Sequence, residues 1–112
     1  MDLKDFEAEV LEVVENLPLN FQEKIKNIGL VIDDSDIDAE GRLILGLYQG
    51  VPATRRAGKK YVFPDKITIY KKAIEKVSRT HQDIKKNIRR VILHEIGHYF
   101  GLDDNRLKEL GY

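Results

Sequence analysis

Two histidines near the end of the chain are spaced for joint metal binding. In the segment VILHEIGHYFGLDDNRL, His94 and His98 are four residues apart, Glu95 follows the first, and Asp104 lies six residues after the second. On a helix, residues four apart lie about 40° apart and one turn along the axis. Both imidazoles can therefore reach one ion, and the spacing predicts a metal site on a helix.

Zinc is the ion that these side chains favour. The chain has no cysteine, so a zinc site must use nitrogen and oxygen ligands, and a catalytic site keeps one position open for water. We expect a turn at Gly101 to bring Asp104 back to His94 and His98 as the third ligand. Glu95 is then placed as the general base, which takes a proton from a metal-activated water and passes it to the leaving amine.

Simpler roles compete for the same residues. His94 and His98 could be hydrogen-bonded helix residues without a metal, and Asp104 could be the N-cap of a short helix that begins there. Asp103 is the substitute ligand if the turn differs by one position. The remaining histidine, His81, is expected to be exposed at the start of the long helix.

Hydrophobic spacing predicts the elements that must position these residues. A capping box of Thr80 and Asp83 starts a long helix that ends near Phe100, before Gly101. Gly97 inside this helix suggests that another element packs closely there. The other predicted elements are a helix from Leu3 to Leu17, strands over 25–32, 43–48 and 66–70, and short helices over 73–77 and 105–110. This order predicts an α+β fold in which a small mixed β-sheet packs on the N-terminal helix and the long helix.

The apolar run Leu43 to Tyr48 is interpreted as a strand that faces the substrate, because Gly46 and Gly50 mark a close backbone approach. The basic stretch ATRRAGKK after it is predicted to be a loop. A row of cations on the long helix is interpreted as a solvated face: Lys85, Lys86, Arg89 and Arg90. Several residues are possible oxyanion stabilisers and none is preferred: Tyr48, Arg55, Tyr61 and Tyr112.

Composition limits the classes of function. The 112 residues suit one domain over 1–112. The 19 basic and 19 acidic residues cancel, so no global field draws the protein to nucleic acid or to an anionic membrane. The acidic first residues lack a secretory pattern, and no apolar run spans a bilayer, so we expect a cytoplasmic protein. The oligomeric state is left open.

The segment HEIGHYFGLDD resembles the extended motif of zincin metallopeptidases, with Asp104 at the position where metzincins have a third histidine. Together with LILGLYQGVP and PDKITIYKKAI, it resembles the small bacterial zincin-like metallopeptidase family with a minimal catalytic domain. The resemblance implies a minimal zincin-like fold, with His94, His98 and Asp104 as zinc ligands and Glu95 as general base. Metzincins also have a methionine turn below the metal, and Met1 is the only methionine here, so the floor of this site must be built differently.

These observations predict a zinc-dependent metallopeptidase with one zinc ion, which hydrolyses a peptide or protein substrate extended along a strand edge. The alternative is a zincin-like domain that binds a peptide or a protein partner and has little or no catalytic power. Metal content and turnover separate the two.

Overall fold

The computed structural model describes residues 1–38, 40–50 and 65–111. Five helices and three strands follow one another in these ranges: α1 (Leu3–Glu15), α2 (Leu19–Ile25), β1 (Ile28–Asp33), β2 (Gly46–Gln49), β3 (Asp65–Tyr70), α3 (Lys71–Lys76), α4 (His81–Tyr99) and α5 (Asp104–Glu109). Helices and strands do not alternate regularly, so the predicted α+β class is confirmed.

The sheet is mixed, as predicted, and has the strand order β1-β3-β2. β1 runs parallel to β3, and β2 runs antiparallel to it, with Gly46 opposite Ile69 and Tyr48 opposite Ile67. The central strand β3 is buried except at Lys66. Within the described residues β2 pairs only with β3, so the strand predicted to face the substrate lies at an edge of the sheet.

The core lies between the sheet, α1 and α4. On α1, Phe6 and Val10 are buried, and the fully buried side chains of α4 include Ile88 and Ile92. These residues recur at helical spacing, which is why α4 has one apolar face directed at the sheet. His94 and His98 lie near the C-terminal end of the same helix, and their side chains are only partly buried.

The predicted start signal of α4 is formed in part, and the predicted stop signal at Gly101 is formed. The hydroxyl of Thr80 accepts a hydrogen bond from the Asp83 amide at 3.1 Å, although the Asp83 carboxylate accepts from the amide of Arg79, at 3.0 Å, and not from that of Thr80. At the other end, Gly101 has φ 84°, and the Leu102 amide donates to the Gly97 carbonyl at 3.1 Å. This reversal of the chain sets the direction of α5 relative to α4.

The strand predicted over 25–32 is wrong at its start. Residues Leu19–Ile25 form α2, and β1 begins only at Ile28. The carbonyl of Pro18 accepts from the amides of Phe21 and Gln22 at 2.9 and 3.0 Å, so this proline is the N-cap of a helix. The preceding helix has already ended at Glu15. A short apolar run has no periodicity that separates a strand from a helix turn.

The other boundaries differ by one to three residues: α1 ends at Glu15, β2 starts at Gly46, and α3 starts at Lys71. The predicted loop ATRRAGKK lies outside the described residues. Among the helices of the described ranges, none has the length and apolar character needed to cross a membrane.

Candidate metal centre

One side of α4 presents the three residues of the HExxH motif that could do chemistry. The rings of His94 and His98 have centroids 4.8 Å apart and planes at 82°, so the imidazoles share one side of the helix as predicted. Their side chains are 32 % and 27 % exposed, whereas Glu95 is buried with 6 % exposure. The histidines are thus accessible from solvent, and the carboxylate lies behind them.

The turn after α4 brings Asp104 to both histidines. Its Oδ1 atom lies 3.2 Å from Nε2 of His94 and 3.2 Å from Nε2 of His98. The structure therefore gathers the three residues that the sequence predicts as ligands, and their role as ligands stays a prediction.

The spacing of these atoms fits a tetrahedral zinc ion. Two ligand atoms about 2.05 Å from zinc, separated by the tetrahedral angle, are about 3.3 Å from each other. The two separations of 3.2 Å match this edge length. Two of the three ligand separations therefore have the length that a tetrahedral zinc site requires, and two imidazoles with one carboxylate are a donor set that suits zinc.

The ring of His98 is oriented by a main-chain carbonyl. Its Nδ1 atom lies 2.9 Å from the carbonyl oxygen of Leu102, and because a carbonyl only accepts, Nδ1 must carry the proton. In a neutral imidazole Nε2 then has a lone pair, which faces the Asp104 carboxylate. Two acceptors facing each other need a cation between them, either a proton on the ring or a metal ion. Sequence reasoning missed Leu102, because a carbonyl contact has no side-chain signature.

Glu95 is a buried carboxylate close to the histidines. One donor atom each from His94, Glu95 and His98 lies within a group 4.8 Å across. Burial raises the pKa of Glu95, while His98, His94 and the main-chain N–H of Tyr48 oppose this rise. Among the described residues, no donor forms a hydrogen bond with its buried Oε2 atom. An unsatisfied buried oxygen costs free energy, which is consistent with a residue kept for function.

Two glycines let neighbouring elements rest directly on α4. A Cβ atom on Gly46 of β2 would lie 2.3 Å from Cγ1 of Val91, and one on Gly97 would lie 2.2 Å from Cδ2 of Leu107. The close neighbour expected at Gly97 is therefore α5. Leu107 is fully buried, and its contact with Gly97 fixes the helix that begins with Asp104.

The structure gives the two adjacent aspartates different contacts. Asp103 is the N-cap of α5, and its Oδ1 accepts from the Arg106 amide at 2.8 Å. The alternative in which Asp104 caps this helix is wrong, because the turn is completed one residue earlier. Asp104, not Asp103, contacts both histidines.

Two grooves flank Glu95 along β2. The first has a volume of about 300 Å³ and is lined by Leu45, Gly46, Arg90, Val91, His94 and Glu95. The second has a volume of about 430 Å³ and is lined by Leu47, Tyr48, Gly50, Glu95, His98, Gly101, Leu102 and Asp103. Glu95 therefore lines both grooves, and each groove is also lined by one of the two histidines.

Other candidates from the sequence lie elsewhere or cannot be placed. The hydroxyl of Tyr48 donates to Asp65 at 3.0 Å, so this group is engaged beside the second groove. Arg55, Tyr61 and Tyr112 lie outside the described residues. His81 is exposed, as predicted, with Nε2 3.5 Å from Glu9.

Comparison with known proteins gives a family and a fold. The family model for zincin-like metallopeptidases matches residues 20–112, a range that contains the whole candidate site. The chain is also similar to a solved structure of a conserved hypothetical protein from Thermo thermophilus, with 21 % identity, coverage of 98 % of this chain and 97 % of that chain, and a TM-score of 0.63. At this identity the likeness shows a shared fold. No curated protein matches the chain.

Proposed function

The chain belongs to the zincin-like metallopeptidase family, and from this premise we propose that it is a zinc-dependent peptidase acting on a peptide or protein substrate. The observation that carries the proposal is the convergence of His94, His98 and Asp104, with both imidazole nitrogens 3.2 Å from one carboxylate oxygen. A buried glutamate beside this cluster adds a group suited to proton transfer.

His94, His98 and Asp104 would hold the zinc ion, and Leu102 orients His98 for this purpose through its carbonyl. Zinc bound here supplies a Lewis acid, which polarises the scissile carbonyl and acidifies the attacking water. The single anionic ligand leaves a net positive charge at the site, which favours this chemistry.

Glu95 is the proposed general base. It takes a proton from the attacking water and delivers it to the leaving amine, because it is the buried carboxylate adjoining both grooves. Burial raises its pKa, so the carboxyl can hold a proton between the two steps more readily than an exposed glutamate.

The edge of β2 is the proposed substrate platform. An extended peptide can add to an open sheet edge through main-chain hydrogen bonds, and β2 runs between the groove at Gly46 and the groove at Tyr48. A peptide along this edge would pass over Glu95 and the two histidines.

Elemental analysis of protein purified without added metal or chelator tests the proposal, followed by cleavage of a peptide library with and without zinc. We expect about one zinc per chain, cleavage that a chelator abolishes, and recovery on adding zinc. His98→Ala is the matched control, which should lose both zinc and cleavage. Zinc binding without any cleavage would overturn the peptidase proposal in favour of a partner-binding domain, and absence of zinc would overturn the metal centre itself.

A further inference from the structure

The helix face that carries the histidines continues as a basic surface. Residues four apart on α4 form the row Lys86, Arg90, His94 and His98, and such residues lie on the same side of a helix. The row therefore leads from the candidate metal centre towards the start of α4 and changes from imidazoles to permanent cations.

Arg90 borders both the first groove and a further hollow on α4. It lines the first groove together with His94 and Glu95. It also lines a neighbouring hollow of about 270 Å³, whose other walls are Lys86, Arg89, Leu93 and Gly111. We call this hollow, bordered by Lys86, Arg89 and Arg90, the basic hollow. Because Arg90 lines both, the basic hollow and the first groove are neighbours along α4.

The cations of the basic hollow lack a carboxylate partner within the described residues. Neighbouring Lys85, by contrast, lies 2.8 Å from Glu12 of α1, and Lys71 and Lys76 are also paired with acids. Lys86, Arg89 and Arg90 form no such ion pair in the ranges that the structure describes. Three like charges at one hollow attract an anion and repel a cation.

We propose that the basic hollow binds a carboxylate of the substrate peptide, on the C-terminal side of the scissile bond. This proposal rests on the proposed peptidase function and names the substrate class for that site. It gives the cations of α4 a role beyond the solvated face that the sequence indicates, because the structure places them beside the groove that contains the site.

The position of the carboxylate in the substrate peptide follows from the rise per residue of the helix and of an extended peptide. Arg90 and Lys86 lie about 6 Å and about 12 Å from His94 along the helix axis, at 1.5 Å per residue. An extended peptide advances about 3.3 Å per residue, so the carboxylate should lie roughly two to four residues from the scissile bond.

The direction follows from strand pairing. Antiparallel pairing is slightly more stable per residue than parallel pairing, and a peptide antiparallel to β2 would run from the Tyr48 groove to the Gly46 groove. Its C-terminal part would then reach Arg90. The carboxylate can belong to an aspartate or glutamate side chain or to the C-terminus of a short peptide, since both have the same chemistry.

Peptide binding by the Glu95→Gln protein tests this inference without cleavage. Three fluorescent peptides are compared by anisotropy in the zinc-loaded protein: a neutral amidated peptide, the same peptide with glutamate three residues after the scissile position, and the neutral peptide with a free C-terminus there. At least one of the two carboxylate peptides should bind about threefold to fivefold more tightly than the neutral one, as expected for an exposed ion pair. The one that does identifies the source of the carboxylate.

The double variant Lys86→Gln with Arg90→Gln should remove this preference, and added salt should weaken it. Lys72→Gln is the matched control, because it removes an exposed charge whose field acts on Asp36, away from the site. Equal binding of all three peptides, or a preference that survives in the double variant, overturns the proposal. Failure of the peptidase function would appear separately, as absence of zinc or of cleavage in the unaltered protein.

Discussion

The two close contacts of α4 hold the two carboxylates of the site in different ways. β2 rests on α4 where Gly46 meets Val91, and the Glu95 side chain lies 3.5 Å from the position of a Cβ on the same glycine. α5 rests on α4 where Gly97 meets Leu107. Glu95 is therefore enclosed by the core, whereas the Asp104 side chain is 82 % exposed at the rim.

These contacts differ in how much of the molecule supports them. β2 is hydrogen-bonded to the central strand β3 and packs on α4, so moving Glu95 requires disturbing the core. α5 has six residues, of which Leu107 is the buried one. The proposed general base is thus part of the fold, and the proposed third ligand depends on one local contact. Catalysis, zinc affinity and stability should be separable by mutation.

Glu95→Gln should cause the largest effect. It removes the proposed general base while keeping the shape of the side chain, and loss of such a group lowers turnover by about 100-fold or more. Zinc content, measured by elemental analysis, should stay unchanged because Glu95 is not a proposed ligand. If the variant instead lost its zinc, Glu95 would be a ligand and the division between the two carboxylates would be wrong.

Asp104→Asn should affect zinc affinity and leave the fold intact. Replacing even a group that orients a ligand costs about 10- to 100-fold in metal affinity, so loss of the ligand should cost at least about 100-fold. The zinc-free protein should keep its melting temperature, because Asp103 caps α5. Competition with a coloured chelator measures the affinity.

Asp103→Asn is the matched control, since it removes the same charge one residue away and asparagine still caps a helix. Its zinc affinity should change much less. Equal losses in the two variants would mean that general electrostatics, and not ligation by Asp104, explain the effect.

The sequence predicts the parts of the site that depend on local patterns. Thr80 and Gly101 have the chemistry of helix ends, and the spacing of His94 and His98 sets their common side. The close neighbour at Gly97 is also predicted, because a helical glycine without a local reason points to packing. The sequence does not predict that this neighbour is Leu107, because that depends on the path of the turn after α4.

What could not be predicted depends on tertiary context. The helix α2 is not predicted, and the predicted strand starts too early, at Ile25, because the apolar residues there are too few to show a period. Asp103 and Asp104 are equally good N-caps by type, and only the geometry of the turn assigns the cap to Asp103. The Leu102 carbonyl that orients His98 is a main-chain group, which no residue type indicates.

Gly46→Ala should reduce stability more than zinc affinity. The added Cβ would meet Val91 at 2.3 Å, and overpacking a core contact costs about 1–3 kcal/mol. Urea unfolding of the zinc-free protein should show this loss as a lower midpoint. A variant with unchanged stability and much weaker zinc binding would show that the β2 contact, like the α5 contact, is only local.

Gly97→Ala should have the smallest effect on stability, while it weakens zinc binding. Alanine favours the helix by up to about 1 kcal/mol over glycine, which offsets part of the clash with Leu107, so the urea midpoint should move little. The Cβ should nevertheless displace α5 and weaken zinc binding by about tenfold, as for loss of a group that positions a ligand. Because this effect acts through Asp104, it should largely vanish in an Asp104→Asn background, as coupled sites are not additive. Full additivity of the two changes would show that Gly97 acts on the histidines of α4 and not on the position of α5.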